Sequence, residues 1–135
     1  MEKVFVDTSG WVALFVENDR NHRKAVSIYG SLQKVRASLY TSDYVFDETV
    51  TTILARGNHA QSVLAGEALL FSEIVKMIFV HPANLRNAWE LYKNYKDKKF
   101  SFTDVASFSM MKDQDIHKAF SFDQDFAQAG FQVLK

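Results

Sequence analysis

With 135 residues, 47% of them hydrophobic and twelve of them Phe, the chain predicts one domain spanning 1–135 that buries about two-thirds of its unfolded surface. The absence of cysteine excludes disulfides, thiol catalysis and thiolate zinc sites. Sixteen basic residues cancel sixteen acidic ones, so no global field favours nonspecific nucleic-acid binding.

Val4-Phe5-Val6 reads as a short strand, and Asp7-Thr8-Ser9-Gly10 supplies capping residues before the apolar run at Trp11 to Phe15. Asn21 caps a second helix through about Val35, with Ala25, Ile28, Tyr29 and Leu32 at helical spacing, and a strand follows near Ser38 to Tyr40. Ser42 or Asp43 caps the next helix, in which Val45, Phe46, Thr49, Val50, Ile53 and Leu54 form the expected buried stripe and Glu48 falls on the polar side. A helix from about Gln61 to Phe71 and a strand from Ile74 to Val80 come next. Pro82 suits the first turn of a helix whose Leu85, Ala88, Trp89, Tyr92 and Tyr95 follow a core spacing, ending in a lysine-rich loop at Lys96 to Lys99.

Ser101 or Thr103 caps a helix through Met111 that is apolar nearly all round and is therefore expected to be central and buried. Asp113 to Asp115 makes a turn, His117 to Phe122 a strand, Asp123 to Ala129 a short helix, and Phe131 to Leu134 the last strand after a stop at Gly130. Strands alternate with helices from end to end, which predicts a layered α/β fold with a parallel sheet. No apolar run approaches the ~20 residues needed to span a bilayer, and no secretory leader pattern opens the chain, so a cytoplasmic protein with no membrane role is expected.

Asp7 and Asp123 stand at strand ends and Asp104 opens the buried helix, the places where such sheets gather ligands. Singly, each could serve as a helix cap or a first-turn dipole partner, and Glu48 as an exposed helix residue. Together they are harder to explain without a cation, since like charges about 4 Å apart repel by roughly 4 kcal/mol per pair at a dielectric near 20. Oxygen-only donors select Mg²⁺ or Mn²⁺ over zinc, and His22, His59, His81 and His117 show no metal-ligand spacing. Such ions promote phosphodiester hydrolysis without a side-chain nucleophile. The basic clusters at Arg20, Arg23 and Lys24 and at Lys93, Lys96, Lys98 and Lys99 read as solvated surface or as phosphate contacts along a groove.

Val4-Phe5-Val6-Asp7-Thr8-Ser9, Asp47-Glu48, Ser101-Phe102-Thr103-Asp104 and Phe120-Ser121-Phe122-Asp123-Gln124-Asp125-Phe126 occur in that order over nearly the whole chain. This series resembles the PIN-domain ribonucleases, especially VapC-like toxins of prokaryotic toxin–antitoxin pairs. The resemblance implies a three-layer fold around a parallel sheet of about five strands, Mg²⁺- or Mn²⁺-dependent endoribonuclease activity on an RNA substrate, homodimerisation and a small antitoxin partner. It maps the acidic quartet onto Asp7, Glu48, Asp104 and Asp123, with Asp125 able to share or replace the role of Asp123. Thr8, Thr103 and Ser121 lie where the family often has a hydroxyl that orients carboxylates or water, or they act as helix caps. Competing readings are an RNA-processing PIN nuclease that is not a toxin, a receiver- or phosphatase-type domain using Asp7 as phosphate acceptor, and a non-catalytic partner-binding module. The phosphatase pattern calls for a second Asp where Ser9 stands.

Overall fold

The computed structural model describes residues 2–135. Its strands are β1 (Lys3–Val6), β2 (Ser38–Ser42), β3 (Val75–Ile78), β4 (Lys118–Phe120) and β5 (Gln132–Val133), all parallel, in the order β3-β2-β1-β4-β5. Among the described residues, seven helices flank the sheet: α1 (Thr8–Phe15), α2 (His22–Lys34), α3 (Asp43–Arg56), α4 (His59–Leu70), α5 (Pro82–Asn94), α6 (Phe102–Asp113) and α7 (Asp125–Gln128). None is long and apolar enough to cross a membrane.

The sequence grows from β1 outward to β3, and the α5–α6 connection then returns the chain to the other side of β1. The strand order therefore reverses between β1 and β4. In open parallel sheets the crevice beyond the carboxyl ends at such a reversal is where ligands bind. Val4, Phe5 and Val6 are fully buried, as a central strand covered on both faces requires.

Helix α6 fulfils the expectation of a central helix, with every residue from Asp104 to Met111 buried. Its Phe108 meets Phe100 at 5.1 Å, Phe126 at 4.9 Å and Phe131 at 5.6 Å between ring centres, which ties α6 to α7 and the approach to β5. Helix α1 comes so close to the end of β4 that a Cβ on Gly10 would lie 2.6 Å from the Phe120 carbonyl oxygen. Only glycine permits that approach.

Several elements differ from the sequence expectation. Strand β3 ends at Ile78 rather than Val80, because the Val80 N–H turns away to donate to Asp43 Oδ1 at 2.9 Å. Strand β4 ends at Phe120, since Phe122 and Asp123 donate their N–H groups to Ser9 Oγ and Ser121 Oγ instead of to a neighbouring strand. Helix α7 is confined to Asp125–Gln128 and α4 starts earlier, at His59, capped by Asn58. Leu54, Leu85, Trp89 and Tyr92, expected in core stripes, are exposed. Helical spacing identifies a face but not how much of it a neighbour covers.

Candidate active site

Asp7 follows β1 and occupies the N-cap position of α1, yet its side chain makes no capping hydrogen bond to the helix. The backbone does that work: the Asp7 carbonyl accepts from the N–H groups of Gly10 and Trp11, and its own N–H donates to the Phe120 carbonyl at 3.1 Å. The carboxylate is left for the crevice, 3% exposed. Pairing of Val6 with Phe120 brings Ser121 alongside, and the Ser121 hydroxyl donates to Asp7 Oδ2 at 3.2 Å. Ser9 Oγ lies 3.4 Å from the same oxygen and 3.1 Å from Ser121 Oγ. Asp7 Oδ1 is buried and has no hydrogen-bond partner.

Asp104 arrives from the other side, in the first turn of α6, its N–H held by the Ser101 cap at 3.0 Å. Asp123 sits in the tight turn after β4, where its Oδ1 accepts the Asp125 N–H at 3.0 Å. Asp7, Asp104 and Asp123 each place a carboxylate oxygen within 4.8 Å of the others. Asp125 is hydrogen-bonded to Asp104 by its side chain, and the charge of Glu48 is felt at Asp7. Glu48 is half-buried on α3, and the Thr8 hydroxyl donates to its Oε1. All five acids line one open cleft of about 510 Å³. Thr103 does not; it borders the adjoining depression beyond Glu48, and its carbonyl accepts from Ser107.

The cleft also contains residues to which the sequence reading assigned no role in this site. Arg56 donates to Asp19 Oδ2 at 2.8 Å, and both line the cleft with Lys99. Burial would raise the Asp19 carboxyl, but the Arg56 guanidinium and the Asn21 amide outweigh it and hold it below the usual range. No local motif marks Arg56, which closes α3 eight residues after Glu48. Two turns of helix return it to the same side.

The electrostatics follow from this crowding. Burial, opposed by the Thr8 amide and reinforced by the charge of Glu48, pushes Asp7 up to about 6. Burial, the hydrogen bond with Asp125 and the charges of Asp7 and Asp123 push Asp104 up to about 8, and burial raises Asp123 as well. Between the unfolded carboxylate range near pH 4 and these raised values, the folded metal-free protein binds more protons than the unfolded chain. Stability is thus greatest on the acid side and falls as pH rises through about 6 and about 8. Thermal melts in EDTA should show a melting temperature that declines from about pH 5 to about pH 8, with a saturating divalent cation flattening the decline. A flat profile in EDTA would argue against the clustered acids.

An oxygen-only donor set, three convergent carboxylates and an unpartnered buried Asp7 Oδ1 fit a hard divalent cation. The sequence matches the PIN domain over residues 4–132. The chain belongs to the PIN-domain family. Within that family it is 35% identical over 132 residues, 98% of each chain, to the 23S rRNA-specific endonuclease VapC20 of Mycobacterium tuberculosis strain H37Rv. The crystal structure of that VapC20, described as a sarcin-ricin loop cleaving toxin, superposes on this PIN domain with a TM-score of 0.88 and 34% identity over 95% of each chain. VapBC2 from Rickettsia felis, bound to promoter DNA, shares the fold at a TM-score of 0.71 with 12% identity, covering 98% of this chain and 97% of that one. The PIN fold places the C-terminal end of its sheet under the acidic cleft.

Proposed function

We propose that this PIN domain, acting as one unit over residues 1–135, is a Mg²⁺- or Mn²⁺-dependent endoribonuclease and the toxin of a type II toxin–antitoxin pair. The observation that carries the proposal is the convergence of the Asp7, Asp104 and Asp123 carboxylates, with Asp7 Oδ1 buried and unpartnered. The likeness to VapC20 over 98% of the chain supports it and suggests the sarcin–ricin loop of 23S rRNA as the substrate.

Asp7, Asp104 and Asp123 would hold the ion, with Asp125 sharing or replacing the role of Asp123 and Glu48 completing the shell. Once bound, the ion supplies polarisation of the scissile phosphodiester and offsets charge that builds on its oxygens during in-line displacement. Ser121 and Ser9 restrain Asp7 Oδ2, which fixes the orientation of the carboxylate. Thr8 restrains Glu48 Oε1, so Oε2 is the atom that accepts a proton from the attacking water as its oxygen bonds to phosphorus and the bond to the leaving ribose oxygen breaks. Thr103, outside the cleft, is assigned to the approach toward Glu48. A cytoplasmic location, a second copy of the chain and a small antitoxin complete the proposal. Leu64, Leu70 and Phe71 leave apolar surface on and just after α4 for protein partners.

The test is cleavage of an end-labelled sarcin–ricin loop oligonucleotide and of intact 23S rRNA, with Mg²⁺ or Mn²⁺ against EDTA and Asp7→Asn as control. Internal cuts that require the ion and vanish in the variant are expected. Equal cutting in EDTA, or by the variant, would overturn the mechanism.

A further inference from the structure

Helix α5 carries its apolar residues at core spacing, but Ala88 is the residue it buries fully, while Trp89 is 51% and Tyr92 39% exposed. The two rings stack on one another, 5.6 Å apart with planes 17° from parallel, and Phe102 backs both at 6.2 and 5.7 Å. They form a fixed aromatic face open to solvent on one side. The loop that follows presents Lys96, Lys98 and Lys99, all exposed and, among the described residues, without an acidic partner. Lys93, by contrast, pairs with Glu90 at 3.0 Å. The lysines and the two rings line a single depression of about 510 Å³, and Lys99 also borders the acidic cleft. A chain with no net charge thus places three unpaired lysines, with Asp97 the one acid among them, beside its densest group of acids.

We propose that this groove, running from Lys99 past Lys96 and Lys98 to the Trp89–Tyr92 pair, binds the single-stranded RNA leaving the cleft. The proposal rests on the ribonuclease reading of the cleft and adds to it the surface that holds the substrate. Carboxylates repel a polyanion, so phosphates on either side of the cut need cations close by, and the three lysines provide them. Stacking on Trp89 and Tyr92 requires bases free of a duplex, which selects an unpaired strand or an opened loop.

Binding is read separately from cleavage, by fluorescence anisotropy of a labelled oligoribonucleotide of about twelve nucleotides titrated with Asp104→Asn protein at several salt concentrations. In that background, Lys96→Glu, Lys98→Glu and Lys99→Glu together should weaken binding at least about tenfold and reduce the salt slope by about two. Trp89→Ala should weaken binding about tenfold with the slope unchanged, and Trp89→Phe should recover most of it. Lys24→Glu with Lys34→Glu, on α2, should have little effect on either quantity. The groove is refuted by undetectable binding of the parent at low salt, by unchanged affinity in the groove variants, or by an equal loss in the α2 control. It is refuted too if Trp89→Ala leaves RNA affinity intact but halves the sedimenting mass, because the face is then a contact with a second copy. RNA held through the groove but left uncut by the unsubstituted protein with Mg²⁺ or Mn²⁺ supplied would count against the nuclease reading alone.

Discussion

Asp104→Asn should lower RNA cleavage by about 10²- to 10³-fold while raising the melting temperature of the metal-free protein near pH 8 by several degrees. Asparagine preserves the volume and one acceptor oxygen in the first turn of α6, so the Ser101 cap and the buried helix behind it persist. What disappears is a negative charge placed against Asp7, Asp123 and Asp125. In the proposed mechanism that charge helps to hold a cation, and without one it is a source of repulsion, so activity and metal-free stability should move in opposite directions. Initial cleavage rates, together with thermal melts in EDTA and in Mg²⁺, check both halves. A variant that cuts at the parental rate would remove Asp104 from the mechanism. One that loses activity and melts lower in EDTA would recast it as a structural residue.

Phe108→Ala should cost about 3–5 kcal/mol of unfolding free energy, a large share of the 5–15 kcal/mol available to a typical domain. The ring is fully buried and meets Tyr95, Phe100, Phe126 and Phe131, three of them edge-on or nearly so. Aromatic side chains on four separate segments cannot all collapse into the space one ring leaves. The same ring joins the helix that bears Asp104 to the one that begins at Asp125, so its loss should also weaken the stabilisation that a divalent cation confers. Denaturant midpoints measured with Phe71→Ala as the comparison decide this: Phe71 is 78% exposed and its removal should change stability by no more than about 0.5 kcal/mol. Similar midpoints for the two variants would show that the aromatic cluster does not carry the core.

Membership of the PIN family sets aside the receiver- and phosphatase-type reading of Asp7.

Local chemistry made much of this protein legible in its sequence. The β-branched run at Val4 to Val6, the Ser42 and Ser101 caps, Pro82 at the opening of α5 and the all-round apolar character of α6 each act within one or two turns of chain. They located the strands and helices, and with them the acids at strand ends and helix starts. Tertiary structure decided what depends on pairing across long separations. The alignment of Val6 with Phe120 puts Ser121 and Ser9 on Asp7, bends the chain out of β4 and brings Asp123 to the cluster. It also decided that Arg56 and Lys99 face the acids, that Thr103 does not line the cleft, and that Trp89 and Tyr92 face solvent. Spacing along a helix names the residues that share a face. Which neighbour covers that face, and how far, depends on the crossing of elements dozens of residues apart, and no local propensity encodes it.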